Sequence, residues 1–148
     1  INLEFIANKV INLYSHTAKT KEITLSADMK IKTVFADENS IFTILRNIVC
    51  NALKFTLRGG SVSISSVLEE DKVIIKVADT GIGITPEKLN LLLESEEIDS
   101  TPGTDREPGS GFGIKIVKDL VQRNNAKLKI LSVQEKGTEF SIIFDKNA

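Results

Sequence analysis

Apolar positions recur along the chain with helical spacing in three segments, which predicts three amphipathic helices. The segments are residues 3–14, 41–55 and 111–124. A fourth, shorter helix is expected to begin at Pro86 and run to Leu93, because proline suits the first turn of a helix. The widest apolar stripe belongs to 41–55, which therefore predicts a long helix packed on a core.

The segments between these helices contain short apolar runs that predict β-strands in pairs. Each pair consists of two alternating or β-branched apolar runs separated by turn-forming or charged residues. The predicted pairs are 23–25 with 31–36, which turns at Asp28, 61–68 with 73–77, and 127–133 with 138–144. This order of elements predicts a two-layer α/β sandwich, with one mixed, mostly antiparallel sheet covered on one face by about three helices.

Composition narrows the class of protein. The chain has 148 residues, 41% hydrophobic and 26% charged, which fits one domain, residues 1–148, around a single core. A net charge of −1 argues against a nucleic-acid partner. No apolar run approaches the ~18 residues of a membrane span, so no direct membrane contact is expected in this segment. The single cysteine, Cys50, excludes an internal disulfide, suits a cytoplasmic protein and is expected to be buried.

A polar edge runs along the predicted helix 41–55 beside its apolar stripe. Turning the helix by about 100° per residue places five side chains within roughly 80° of one another. They are Ser40, Thr43, Asn47, Asn51 and Lys54. An Asn oxygen is a hard ligand suited to Mg²⁺, and a Lys one turn away can meet phosphate oxygens. An ordinary solvated face would show the same residue types, so this pattern alone leaves both interpretations open.

Two glycine-rich patterns carry further chemistry. In DTGIGI, Asp79 leaves an apolar strand just before two glycines, so its carboxylate can accept a hydrogen bond from an exocyclic amine at a pocket edge. In PGSGFGIKIV, three alternating glycines precede a helix and can present N–H groups to a phosphate. A plain turn is the alternative for the first pattern and a flexible hinge for the second. Between the two patterns, residues 94–110 are polar and acidic, as in a functional lid or a loop without order.

In this order, the patterns resemble the ATP-binding catalytic domain of two-component sensor histidine kinases, within the wider gyrase, Hsp90, histidine kinase and MutL ATPase family. NIVCNALKFT is similar to the family's Asn box, DTGIGI to its first glycine box, GSGFGI to its second and GTEFSIIF to its closing Gly-Thr strand. The resemblance covers nearly the whole chain and implies a Bergerat-type fold that binds ATP and Mg²⁺. Residues 94–110 would form the ATP lid, although they lack the Phe-containing motif of many relatives.

The resemblance also implies roles for individual residues. Asn51 would ligate Mg²⁺, Asn47 would act at the metal or phosphates, and Lys54 would contact phosphate, so these three would be the catalytic residues. Phe55 would pack by the adenine, and Asp79 would receive its amino group. The other nucleotide-binding positions implied are Gly81, Gly83, Gly109, Gly111, Phe112, Gly113 and Thr138.

Asn47 helps to choose among branches of the family. The gyrase, Hsp90 and MutL branch carries a Glu general base at the equivalent position, and an amide cannot take a proton at neutral pH. The resemblance thus implies a bacterial, ATP-dependent protein-histidine kinase that phosphorylates a separate helical-hairpin domain and serves a response regulator. The only histidine, His16, is expected at the surface, so the domain would not autophosphorylate alone. A nucleotide-sensing or degenerate regulatory module is one alternative, and an ATP-hydrolysing clamp is another.

Overall fold

The computed structural model describes residues 1–94 and 113–145, which form four helices and five strands. The N-terminal half contains two long helices that alternate with the first strands. The bounds are α1 Leu3–Thr20, β1 Thr24–Met29, α2 Glu38–Phe55, β2 Ser61–Glu69, β3 Lys72–Asp79, α3 Pro86–Glu94, α4 Gly113–Arg123, β4 Lys127–Val133 and β5 Gly137–Asp145. None of the helices in these ranges combines the length and apolarity that a membrane span requires.

The strands form one mixed sheet in the order β1-β2-β3-β5-β4. β1 runs parallel to β2, with Thr24 opposite Ser61, whereas the three other neighbouring pairs are antiparallel. At the end of β3, Asp79 lies opposite Val62 on one side and Thr138 on the other. The predicted mixed, mostly antiparallel sheet is therefore confirmed.

The hydrophobic core lies between the sheet and the helices. α2 buries its whole predicted apolar stripe, and the central strands bury alternate residues against it, as a sheet with one covered face requires. The buried α2 residues are Ile41, Ile44, Leu45, Ile48, Val49, Ala52 and Leu53. The α/β sandwich is confirmed, and because the apolar stripe of α2 faces the core, the polar edge beside the stripe lies at its border.

The predicted strand pair that turns at Asp28 is wrong. A single strand, Thr24–Met29, runs through Asp28. Residues 31–36 form no strand, and Thr33 makes an isolated β-bridge with Asn2. The physical reason is the direction of pairing. Parallel strands need a crossover instead of a tight turn, and α2 supplies it between β1 and β2.

α1 continues past its predicted end at Tyr14 and stops at Thr20. Its polar last turns are mostly exposed, with only Ala18 buried, so they show no apolar stripe that could have predicted them. Contacts with other parts of the chain stabilise these turns instead. One such contact is the hydrogen bond that Arg58 donates from Nη1 to the Thr20 carbonyl at 3.1 Å. His16, in these turns, is exposed as predicted.

Cys50, which was expected to be buried, is half-buried. Its side chain lies beside Tyr14 of α1. Burial and this neighbour raise the pKa of Tyr14 to about 12. The thiol therefore belongs to the contact between α1 and α2.

Candidate functional site

The candidate site lies where the end of β3 meets the last turn of α2 and the start of β5. Asp79 ends β3 and pairs with Thr138 at the start of β5. Directly after Asp79, the backbone N–H of Ile82 donates to the carbonyl of Phe55 on α2 at 3.0 Å. The fold thus brings the first glycine pattern, the Asn-rich helix and the closing strand together.

The half-buried carboxylate of Asp79 is oriented by two backbone donors. Its Oδ1 accepts hydrogen bonds from Gly81 N at 2.9 Å and from Thr138 N at 3.2 Å. Burial raises the pKa of Asp79 above its usual value, and these two hydrogen bonds only partly oppose the effect. No residue in the described ranges donates to Oδ2. Oδ2 is therefore the oxygen that a ligand amine can reach.

Two glycines next to Asp79 lie directly against backbone. A Cβ at Gly81 would lie under 3.0 Å from the Phe55 carbonyl oxygen, closer than real Cβ atoms come. Gly83 has φ +75°, which favours glycine, and a Cβ there would collide with the Val133 carbonyl. The loop after Asp79 therefore has no room for side chains at these positions.

A pair of hydroxyl groups holds the same loop from the other side. Ser132 on β4 accepts a hydrogen bond from the Ile84 N–H at 2.7 Å, and its Oγ lies 2.9 Å from Thr138 Oγ1. Thr138 thus supports Asp79 through its N–H and the loop through its hydroxyl. Sequence patterns did not indicate Ser132, because only the pairing of β4 with β5 brings it opposite Thr138.

The predicted polar edge of α2 places Asn47, Asn51 and Lys54 on successive turns, each half-buried. Asn47 Nδ2 donates to the Thr43 carbonyl at 2.7 Å, so Oδ1 is the atom that its side chain can offer a ligand. The described residues contain no cluster of three or more His, Cys, Asp or Glu able to hold a metal. Amide oxygens together with ligand phosphates are a donor set that suits Mg²⁺, which usually keeps few protein ligands.

Two lysine ammonium groups flank the ring of Phe55. Lys54 Nζ lies 5.8 Å and Lys88 Nζ 5.9 Å from the ring centroid. Burial lowers the pKa of Lys88, which lies in the first turn of α3. Lys88 is not among the residues that the sequence patterns indicated. The available signal was Pro86, because a helix that starts directly after the glycine loop must place its first turn beside that loop.

The second glycine pattern is only partly described. Gly109, Gly111 and Phe112, together with the segment 95–112 that includes most of the predicted lid, lie outside the described residues. Gly113 is the first residue of α4. α4 packs against α2, so the helix that follows this pattern adjoins the helix that carries the polar edge.

Comparisons with known proteins agree with this arrangement. A family model described as "Histidine kinase-, DNA gyrase B-, and HSP90-like ATPase" matches residues 36–148. An uncharacterised sensor-like histidine kinase of Rhizobium meliloti is 32% identical over 92% of this chain and 26% of its own length. The sensor histidine kinase ZraS of Salmonella typhimurium is 31% identical over 96% of this chain and 30% of its own. The chain therefore spans less than a third of either relative.

Solved structures share the fold. The Acinetobacter baumannii histidine kinase AdeS matches with a TM-score of 0.81 and 18% identity, over 100% of this chain and 66% of AdeS. The catalytic domain of histidine kinase ThkA matches with a TM-score of 0.78 and 22% identity, over 99% and 94%. Full-length ShkA in complex with AMPPNP matches with a TM-score of 0.79 and 27% identity, over 97% and 30%. These structures show the shared fold, and the family match over residues 36–148 shows that the chain belongs to the histidine kinase-, DNA gyrase B- and HSP90-like ATPase family.

Proposed function

We propose that this chain is the ATP-binding catalytic domain of a two-component sensor histidine kinase. It binds Mg·ATP and donates the γ-phosphoryl group to a histidine on a separate helical-hairpin domain. A response regulator acts downstream of that domain. The observation that carries the proposal is the open Oδ2 of Asp79, oriented by Gly81 and Thr138 beside the polar edge of α2. Relatives named sensor histidine kinases support the same assignment.

The two ends of the nucleotide meet different parts of the site. Asp79 Oδ2 accepts a hydrogen bond from the adenine amino group, and the close packing of Gly81 against the Phe55 carbonyl fixes the loop beside that carboxylate. Phe55 packs by the adenine, and the ammonium groups of Lys54 and Lys88 near its ring provide two positive charges that stabilise the phosphates. Bound Mg²⁺ supplies further charge neutralisation there, with Asn51 and Asn47 as its protein contacts.

The residues of α2 favour phosphoryl transfer over ATP hydrolysis. The polar edge carries no carboxylate, and the amide of Asn47 cannot accept a proton from water. In transfer, the bond between the γ-phosphorus and the β,γ-bridging oxygen breaks, a bond to an imidazole nitrogen forms, ADP leaves, and the imidazole proton passes to solvent. In this reaction the protein mainly positions the reactants and neutralises the negative charge of the phosphates.

Adding the helical hairpin of a related sensor kinase in trans is expected to produce a phosphohistidine. The isolated domain with labelled ATP should transfer label to the hairpin, and the product should be acid-labile and alkali-stable. A hairpin whose acceptor histidine is replaced is the control and should stay unlabelled. Steady release of phosphate without a hairpin would instead support the clamp, and ATP binding with no transfer would support the regulatory module.

The Asn51→Ala variant is expected to lose the effect of Mg²⁺ on ATP binding. We expect ATP affinity in the presence of Mg²⁺ to fall about tenfold or more, since lost metal contacts typically have effects of this size. Titration calorimetry with and without Mg²⁺ measures the change. Asn8→Ala, the same substitution on an exposed position of α1, should leave both affinities as they are. An unchanged Mg²⁺ effect in Asn51→Ala would contradict the metal assignment.

A further inference from the structure

The last turn of α2 has a partner for each of its backbone carbonyl groups. A helix normally leaves its final four carbonyls without intrahelical partners, so other groups must satisfy them. The pairs are Thr56 Oγ1 to the Ala52 carbonyl at 2.6 Å, Lys21 Nζ to the Leu53 carbonyl at 2.8 Å, Lys21 Nζ to the Lys54 carbonyl at 2.9 Å, and Ile82 N to the Phe55 carbonyl at 3.0 Å. This turn is thus held by three other parts of the chain.

Lys21 is unusual because its side chain is almost completely buried, at 5% exposure. Lysine is rarely buried, since removing an ammonium group from water is costly unless it is well paired. Here the ammonium donates two charge-assisted hydrogen bonds and lies at the negative end of the α2 dipole. Both features compensate the loss of water, and both act on the turn that carries Lys54 and Phe55.

The ends of α1 and α2 cap each other. Lys21 directly follows α1 and caps α2, whereas Arg58 follows α2 and donates from Nη1 to the Thr20 carbonyl at the end of α1. The two caps differ in burial, because Arg58 is exposed. They also differ in position, because Lys21 donates to the carbonyls of α2, which carries predicted nucleotide-binding residues, whereas Arg58 donates to the end of α1. Arg58 therefore provides a matched comparison for Lys21.

We propose that Lys21 is a positioning residue for the nucleotide. It holds the turn that presents Lys54 to the phosphates and Phe55 to the base, and the Phe55 carbonyl in turn holds Ile82 next to Gly81. The proposal rests on the proposed function, because it gives Lys21 a part in ATP binding. Without the ammonium group, two inward-facing carbonyls lose a partner, and the last turn of α2 is expected to loosen.

The loss should affect some ligand contacts and spare others. Asn51 lies one turn before Phe55, and its own carbonyl has a regular helical partner within α2. The effect of Mg²⁺ on ATP binding, which depends on Asn51, should therefore persist when the last turn loosens. The expected signature of losing Lys21 is weaker ATP binding with an unchanged ratio between the affinities measured with and without Mg²⁺.

The experiment compares Lys21→Met with Arg58→Met, since each variant removes one cation and keeps an apolar stem. Circular dichroism first identifies a temperature at which both variants are folded, and calorimetry then measures ATP affinity with and without Mg²⁺. We expect Lys21→Met to bind ATP about tenfold more weakly, the size of one lost charge-assisted hydrogen bond. Arg58→Met should bind within about twofold of the unmodified domain, since exposed caps contribute little.

Each result has a defined meaning. A folded Lys21→Met variant with unchanged ATP affinity would overturn the proposal, as would an equal loss in Arg58→Met or a lost Mg²⁺ effect in Lys21→Met. If Lys21→Met does not fold, Lys21→Gln, which keeps one neutral donor, decides by the same measurements. Absence of ATP binding in the unmodified domain would instead overturn the proposed function, so the two failures are distinguishable.

Discussion

The Asp79→Asn variant is expected to bind ATP on the order of 10- to 100-fold more weakly, because a hydrogen bond to a charged group contributes roughly 1.5–3 kcal/mol. The substitution keeps the shape of the side chain. Oδ1 must remain an oxygen, since it accepts hydrogen bonds from both Gly81 N and Thr138 N. The new amide nitrogen therefore takes the place of Oδ2 and presents a donor to the adenine amino group, which is also a donor.

The same geometry predicts a change in base preference. Inosine triphosphate carries a carbonyl oxygen in place of the amino group, so the amide nitrogen of the Asp79→Asn variant can donate to it. Calorimetry with ATP and inosine triphosphate should show that the unmodified domain prefers ATP and that the variant loses or reverses this preference. Asp28→Asn, the same change at an exposed position of β1, is the control. Equal affinity of the unmodified domain for both nucleotides would contradict the role of Asp79.

The raised pKa of Asp79 adds a pH dependence to this prediction. Because its folded-state pKa lies above the usual 3.8, the carboxylate is protonated and ATP affinity falls as the pH drops through that raised value. For stability the sign is opposite, since a raised pKa means that folding disfavours the charged form. Asp79→Asn should thus unfold at an equal or higher temperature at neutral pH, with the gain absent below pH 3.8. Thermal unfolding of the variant and the unmodified domain at neutral pH and below pH 3.8 tests this. A lower unfolding midpoint for the variant than for the unmodified domain at neutral pH would contradict it.

The Gly81→Ala variant is expected to lose ATP binding almost completely and to be less stable than the unmodified domain. A Cβ at this position would lie under 3.0 Å from the Phe55 carbonyl oxygen and 2.9 Å from Asp79 Oδ1. The added methyl group must therefore push the loop away from α2, which breaks the hydrogen bond from Ile82 N to Phe55. Overpacking of this kind typically costs about 1–3 kcal/mol of stability.

Gly59→Ala is the matched control for this substitution. Gly59 follows α2 and has φ +86°, and a Cβ added there would meet no atom within 4 Å, so only its backbone conformation opposes a side chain. We expect a stability loss of about 1 kcal/mol from that conformation and no change in ATP affinity. Chemical denaturation and calorimetry of both variants separate the two effects. A folded Gly81→Ala variant that binds ATP normally would show that the loop does not need to contact α2.

Periodicity in the sequence predicted most of the fold, because helices and hairpins depend on contacts between residues close along the chain. The stripe of α2 and the hairpin of β2 and β3 are examples. The error at residues 31–36 arose where the structure depends on distant contacts. β1 pairs in parallel with β2 across the whole of α2, and no local pattern specifies that partner.

The candidate site also combines residues that local sequence indicates with residues that only distant contacts bring into place. Local sequence was enough to single out Asn51, Asp79 and Gly81, because amide, carboxylate and glycine at these spacings already restrict the chemistry that each segment can perform. The roles of Lys21 as a cap of α2 and of Ser132 as a support of the glycine loop became visible only in the folded chain. Such contacts join residues far apart along the chain, and a buried lysine or a strand serine has no local signature until packing supplies its partners.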